Sequence, residues 1–184
     1  QGLVEIDAWD SIAKLEPFQV PMDLLTRVHS PEYLQRLEQA CRSGQSLDMD
    51  TYTQPASWDL ALRSAGGALA IADAVWTGKS QAGFAITRPP GHHATRQRGM
   101  GFCLLNNAAI AAEYLLTANQ PDFPNVRKLA IIDLDLHHGN GLQDIFWRRG
   151  DVFYISTHQS PLFPGSGTLD ELGAGSGEGT NMNI

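Results

Sequence analysis

Apolar residues recur at two different spacings along this chain, and the alternation between them sets the expected architecture. Ser30 suits a helix N-cap and Pro31 the first helical position, after which Tyr33, Leu34, Leu37, Ala40 and Cys41 follow at helical spacing up to Gly44. The pattern predicts a helix over 31–43. An alanine-rich stretch with Trp58, Leu60, Leu62, Ala65, Leu69, Ile71 and Val75 predicts a buried helix over 57–79, and the Gly66-Gly67 pair inside it implies close packing against a neighbour. Residues 82–87 read as a short apolar strand stopped by Pro89 and Pro90, and 106–118 as another buried helix, followed by a proline-rich loop over 120–125. A strand from Leu129, a helix over 141–149 and a strand over 152–156 complete the pattern. Strands alternating with helices predict an α/β fold, a parallel β-sheet sandwiched by helices. Residues 1–28 look irregular because Pro17 and Pro21 interrupt any helix, and the glycine-rich stretch 165–179 reads as a surface or pocket-wall loop.

The sequence Leu129-Ala-Ile-Ile-Asp-Leu-Asp-Leu-His-His-Gly-Asn-Gly141 concentrates the chemistry. Its apolar start has no polar alternation, so both faces of the strand should be covered. In an extended chain Asp133, Asp135 and His137 share one face while Leu134 and Leu136 return to apolar packing. Carboxylate beside imidazole suits a borderline divalent cation such as Zn²⁺. The plainer alternative is a hydrogen-bonded polar cluster without metal, but burying four ionisable groups in six residues without a cation or partners would be costly. A second cluster, His92-His93, follows the 82–87 strand and should lie at the same carboxyl edge of the sheet, where a histidine near its ordinary pKa is a natural general acid or base.

Composition narrows the class. The chain has 184 residues, and its 13 Lys and Arg against 20 Asp and Glu give a net charge of −7, which argues against general affinity for nucleic acid or anionic membrane and favours cationic small molecules or lysine-bearing peptides. Cys41 and Cys103 lack the spacing of a disulfide framework or zinc knuckle and read as core residues of an intracellular, cytoplasmic protein.

Four motifs occur in order: Arg88-Pro-Pro-Gly-His-His-Ala94, Gly101-Phe-Cys-Leu-Leu-Asn-Asn107, Asp133-Leu-Asp-Leu-His-His-Gly-Asn-Gly141 and Tyr154-Ile-Ser-Thr-His-Gln159, extended by Val28-His-Ser-Pro-Glu-Tyr-Leu34 and Phe163-Pro-Gly-Ser-Gly167. Together they resemble the zinc-dependent histone deacetylase family, which includes acetylpolyamine amidohydrolases, over nearly the whole chain from about residue 24. The resemblance implies the arginase/deacetylase fold and hydrolysis of acetyl-lysine peptides or acetylated polyamines. It makes Asp135 and His137 zinc ligands, His92 and His93 the catalytic pair, and Asp133 the partner of His92. It also implies a potassium site built by Asp133, Ser156 and Thr157 with the backbone of Asp135 and His137. Gly101 and Phe102 would line the acyl-lysine tunnel and Asp50 would be a rim carboxylate. Asn140 stands where some members place Asp, a form that resembles class II and bacterial enzymes, and it leaves His93 the less basic of the pair.

The family's third zinc ligand and its transition-state Tyr have no counterpart in the chain. Residues 1–184 are therefore expected to be the N-terminal and central part of one deacetylase domain, weak in zinc binding and inactive alone. Two other readings remain: a non-catalytic, deacetylase-derived binding module, and a Mn²⁺ ureohydrolase of arginase type.

Overall fold

The computed structural model describes residues 10–118 and 121–184. Helices come first in the chain and supply most of the core: α1 (Met22–Val28), α2 (Pro31–Ser43), α3 (Ser57–Trp76) and α4 (Asn107–Thr117). Then β1 (Leu129–Asp133), α5 (Asn140–Phe146), β2 (Val152–Ser156), a 3₁₀ turn (Gly175–Gly177) and β3 (Asn181–Asn183) follow. The strands form a parallel sheet in the order β1-β2-β3, with Asp133 opposite Ser156 and Ser156 opposite Asn183. Residues 1–9 and 119–120 lie outside the described residues, and with them part of the expected irregular N-terminus and of the 120–125 loop.

Local chemistry explains the ends of α2. Ser30 Oγ accepts from the Tyr33 amide at 3.1 Å, Pro31 occupies the first turn, and Gly44 ends the helix in the left-handed conformation with φ 67°. Helix α3 ends at Trp76, three residues short of the expected 79. Its Gly66 gives way to the N-terminal segment: a Cβ there would collide with the Phe18 carbonyl, whose amide donates to the Gly66 oxygen at 3.0 Å. Pro21, expected to break helices, instead precedes one; it needs no amide partner there, and its carbonyl accepts from Leu25.

Three further expectations are corrected. Residues 82–87 are extended but belong to no ladder, and Phe84 and Ile86 are 82% and 70% exposed, because among the described residues no strand pairs with them. Strand β1 is an edge strand rather than a strand covered on both faces: Leu129 and Ile131 pack on the core, whereas Ile132 is exposed. Leu134 and Leu136 do not return to apolar packing and are 77% and 56% exposed. Only Val152, Tyr154 and Ser156 of β2, which has a neighbour on each side, are fully buried along their strand. Moreover, β3 (Asn181–Asn183) forms a strand that no local pattern had marked.

The helical layer is joined to the site by a buried histidine. His29, at the junction of α1 and α2, donates from Nδ1 to the Thr95 carbonyl at 2.9 Å and accepts from the Asn106 amide at Nε2, also at 2.9 Å. Burial, opposed only in part by the Thr95 bond, brings its pKa down to about 4. A histidine held neutral in the fold but basic when unfolded stabilises fully above pH 6.5 and progressively less as pH falls toward 4. Between those values, denaturant midpoints measured across pH should show the parent losing about 1.4 kcal/mol per pH unit more than a His29→Gln variant. Equal slopes would exclude His29 as the source.

Candidate active site

Parallel ladders bring three segments to one edge. β1 ends at Asp133, β2 ends opposite it at Ser156, and the loop 88–94 delivers His92 and His93. Past Asp133 the chain is not an extended strand, as the alternation had suggested; it advances by carboxylate hooks. Asp133 Oδ1 accepts from the Asp135 amide at 3.2 Å, and Asp135 Oδ1 accepts from the His137 amide at 2.8 Å. Short Asp side chains bond to the backbone two residues on, which turns the chain while keeping alternate side chains together.

Asp133 is the hub. Its Oδ2 accepts from His92 Nδ1 at 3.0 Å and from the Tyr154 hydroxyl at 3.1 Å. Burial pulls the Asp133 carboxyl upward, but the His92 bond and charge, the Asp135 amide and the Tyr154 hydroxyl together hold it below the ordinary carboxylate range. An ionised Asp133 fixes His92 with its proton on Nδ1 and leaves Nε2 free. Gly139 makes this packing possible, since a Cβ there would collide with Asp133 Oδ2 and would lie 2.5 Å from the Tyr154 oxygen.

His93 is set differently. Its Nδ1 bonds to Asn140 Oδ1 at 2.8 Å, and its ring lies 3.9 Å from that of His92, centroid to centroid. Asn140 Nδ2 points to Met100 Sδ at 3.5 Å. Burial and the neighbouring His92, offset only partly by the neutral Asn140, lower the His93 pKa to about 4. The pair is therefore asymmetric: His92 has a carboxylate behind it, and His93 has an amide.

Around the pair, Gly101 packs so tightly that a Cβ would be 2.5 Å from His93 Cδ2, with φ of 56°. Phe102 follows, also at positive φ of 66°, 59% exposed, with its amide bonded to Thr51 Oγ1 at 3.0 Å. It borders a cavity of about 470 Å³ lined by the exposed Asp50, Tyr52 and Arg88 and by the buried Leu104. Phe163 stands edge-on to His93 with centroids 4.9 Å apart, and 6.2 Å from His137.

Asp135 and His137 lie on the open side, with half of the Asp135 carboxylate exposed, and Asp135 Oδ1 is 3.2 Å from His137 Nδ1 and 3.9 Å from His92 Nε2. An oxygen donor and a nitrogen donor on the solvent side of a histidine pair fit two positions of a zinc site. Among the described residues, no three His, Cys, Asp or Glu side chains come together to hold a metal. Of the residues expected to build a potassium site, the Asp133 carbonyl accepts from the Thr157 amide at 3.1 Å and the Ser156 carbonyl from the Ile184 amide at 2.9 Å, so these segments meet at one edge of the sheet.

Sequence reasoning missed the layer under the site. Tyr154 supports Asp133 from an inward position on β2, and the apolar run Val152–Ser156 is the one local signal for that position. His138 bonds to Ser166 at 2.8 Å and to Gln143 at 3.1 Å, and Gln143 also accepts from Asn181 and Asn183 of β3. His158 bonds to Ser156 and to the Gly167 carbonyl. The glycine-rich tail is thus wrapped on buried polar groups, which no local pattern announces.

Comparison with known proteins identifies the family. Residues 2–184 match the histone deacetylase domain, and the chain belongs to that family. It is similar to a probable deacetylase of Archaeoglobus fulgidus, 43% identical over 175 residues, covering 95% of this chain and 47% of that protein. Among solved structures it resembles the HD domain of HDA15, with a TM-score of 0.92 and 34% identity, over 99% of this chain and 53% of that one. An acetylpolyamine aminohydrolase from Burkholderia pseudomallei gives a TM-score of 0.87 at 34% identity, over 99% of this chain and 61% of that one. The chain spans about half the length of the curated relatives it matches.

Tyr154→Phe removes the hydroxyl that Asp133 and the Gly139 carbonyl share. It should cost about 1–2 kcal/mol in chemical denaturation, and ¹⁵N NMR of the parent should show His92 protonated at Nδ1; an Nε2-protonated His92 would contradict the Asp133 assignment.

Proposed function

We propose that this chain carries the proton-transfer residues and two of the metal donors of a zinc-dependent amidohydrolase that removes acetyl groups from acetyl-lysine or similar acetylated amines. The observation that carries the reading is the His92-Asp133 and His93-Asn140 pairing beside the exposed Asp135-His137 donors. Asp135 and His137 would hold the zinc, with the third donor supplied by polypeptide outside these residues. When bound, zinc supplies Lewis-acid polarisation of the acyl carbonyl and acidifies water. Asp133, Ser156 and Thr157, with the backbone of Asp135 and His137, would hold a potassium ion beneath it.

The chain's own residues supply the remainder. His92 Nε2 is free to accept a proton while its Nδ1–H stays on Asp133, and the carboxylate stabilises the imidazolium that results. His93, neutral at physiological pH, orients against Asn140 and offers its second nitrogen to the reacting amide without competing for the proton. Gly101, Phe102 and Phe163 would line the approach of the acylated side chain, and Asp50 at the rim would accept hydrogen bonds from the substrate. On this reading residues 1–184 form one part of a single catalytic domain, and activity belongs to the complete domain.

In the full-length protein loaded with zinc, hydrolysis of an acetyl-lysine peptide should fall by two orders of magnitude or more, about 10²–10⁴-fold, in His92→Ala and by a comparable factor in His93→Ala. Chelation should abolish turnover and zinc restore it. An intact fold with no turnover of any acetylated amine would indicate a binding module, and Mn²⁺-dependent urea formation a ureohydrolase.

A further inference from the structure

The chain leaves the site at His93, makes a short excursion and returns at Gly101, which rests on His93 again. The excursion is closed by the Thr95 amide donating to the Arg98 carbonyl at 2.9 Å and the Arg98 amide to Thr95 Oγ1 at 3.0 Å. Seven intervening residues folded back on themselves place its tip at most about 12 Å from the histidine pair. The tip carries Arg96 and Arg98, both exposed. It is pinned to the α1–α2 junction by the Ser30 amide on the Arg96 carbonyl at 2.8 Å and by His29 on Thr95. That junction brings two more exposed arginines, Arg27 in the last turn of α1 and Arg36 on α2.

The guanidinium groups are held by neutral partners. Arg96 Nη1 donates to the Arg27 carbonyl at 2.8 Å, and Arg36 Nη2 to the Gln97 carbonyl at 3.1 Å. Among the described residues none of the four arginines forms an ion pair; those that exist involve Lys14, Arg42, Lys79, Arg149 and histidines. Two carboxylates adjoin the patch: Asp144 accepts from the Arg96 amide, and Asp48, which accepts from the Asp50 and Thr51 amides, feels the charge of Arg98. In a chain of net charge −7, four exposed arginines without an ion pair among the described residues, gathered where this turn meets the α1–α2 junction, are a local exception.

We infer that Arg27, Arg36, Arg96 and Arg98 form a docking patch for acidic residues that flank the acetylated lysine in a substrate protein. The inference rests on the deacetylase reading and narrows its substrate class. An extended peptide covers about 3.3 Å per residue, so side chains two to four positions from the acetyl-lysine reach the patch. The field of the patch acts within a Debye length of about 8–10 Å, whereas the acidic remainder of the molecule opposes a long polyanion such as nucleic acid. Acetylated polyamines, which are cations, are disfavoured by the same charges.

The test uses the full-length protein and fluorescein-labelled acetyl-lysine peptides that carry either two Glu or two Gln within four residues of the modified lysine, followed by anisotropy and, separately, by deacetylation. The Glu peptide should bind about fivefold more tightly at low salt, the yield of two exposed charge contacts. That preference should vanish at high salt and in the Arg27→Gln/Arg98→Gln double variant, and persist when both are Lys. No preference in the parent, or a preference unchanged by the Gln variant, overturns the inference. So does tighter binding of duplex DNA or phosphatidylserine vesicles than of the Glu peptide. Charge-dependent binding without turnover of either peptide would support the patch while refuting the deacetylase reading.

Discussion

A carboxylate at the end of an edge strand organises this protein. Asp133 is buried enough that its charge must be matched, and three separate segments match it: the 88–94 loop through His92, β2 through Tyr154, and its own continuation through the Asp135 amide. Each bond does two things at once. It satisfies a group that would otherwise be costly to bury, and it positions something the chemistry needs: the His92 tautomer, the depth of β2, or the turn that turns Asp135 outward. The same carboxylate therefore links the register of the sheet to the orientation of His92. Gly139 belongs to this arrangement because no side chain fits between Asp133, Tyr154 and His92.

The two histidines illustrate how partners divide labour between identical side chains. They stack 3.9 Å apart, and two adjacent imidazoles do not both readily carry charge. A carboxylate stands behind one and an amide behind the other, and burial together with the neighbouring His92 lowers the His93 pKa to about 4, so His93 stays neutral near pH 7. Arg149 shows the complementary solution away from the site. Its guanidinium grips Asp151 through two bonds and reaches the buried Glu113 of α4, tying the helical layer to the start of β2.

Phe84, Ile86, Ile132, Leu134 and Leu136 are exposed although their sequence pattern is that of an interior. Apolar spacing records what a segment can bury, whereas burial itself depends on which neighbours pack against it. Asp135 and His137 are likewise brought together by the fold, and among the described residues no third His, Cys, Asp or Glu joins them.

Much of the helical layer was legible from local rules: Ser30, Pro31 and Gly44 bound α2, and apolar periodicity located α3 and α4. Residue spacing was enough to single out Asp133, Asp135 and His137, with His92 and His93 as a second cluster, because clustered ionisable residues after an apolar run have few structural uses; Asn140 entered only through the resemblance to the deacetylase family. What the sequence did not reveal was every relation that joins distant segments: the Tyr154 hydroxyl under Asp133, Phe163 against His93, the wrapping of the glycine-rich tail on His138 and Gln143, and the return of the 95–98 turn to the α1–α2 junction. Helix propensity and capping act within a few residues and leave a mark in the local pattern. Hydrogen bonds across 21 to 66 residues do not; their partners are chosen by which strand pairs with which and how deeply each is buried, and only the tertiary structure decides that.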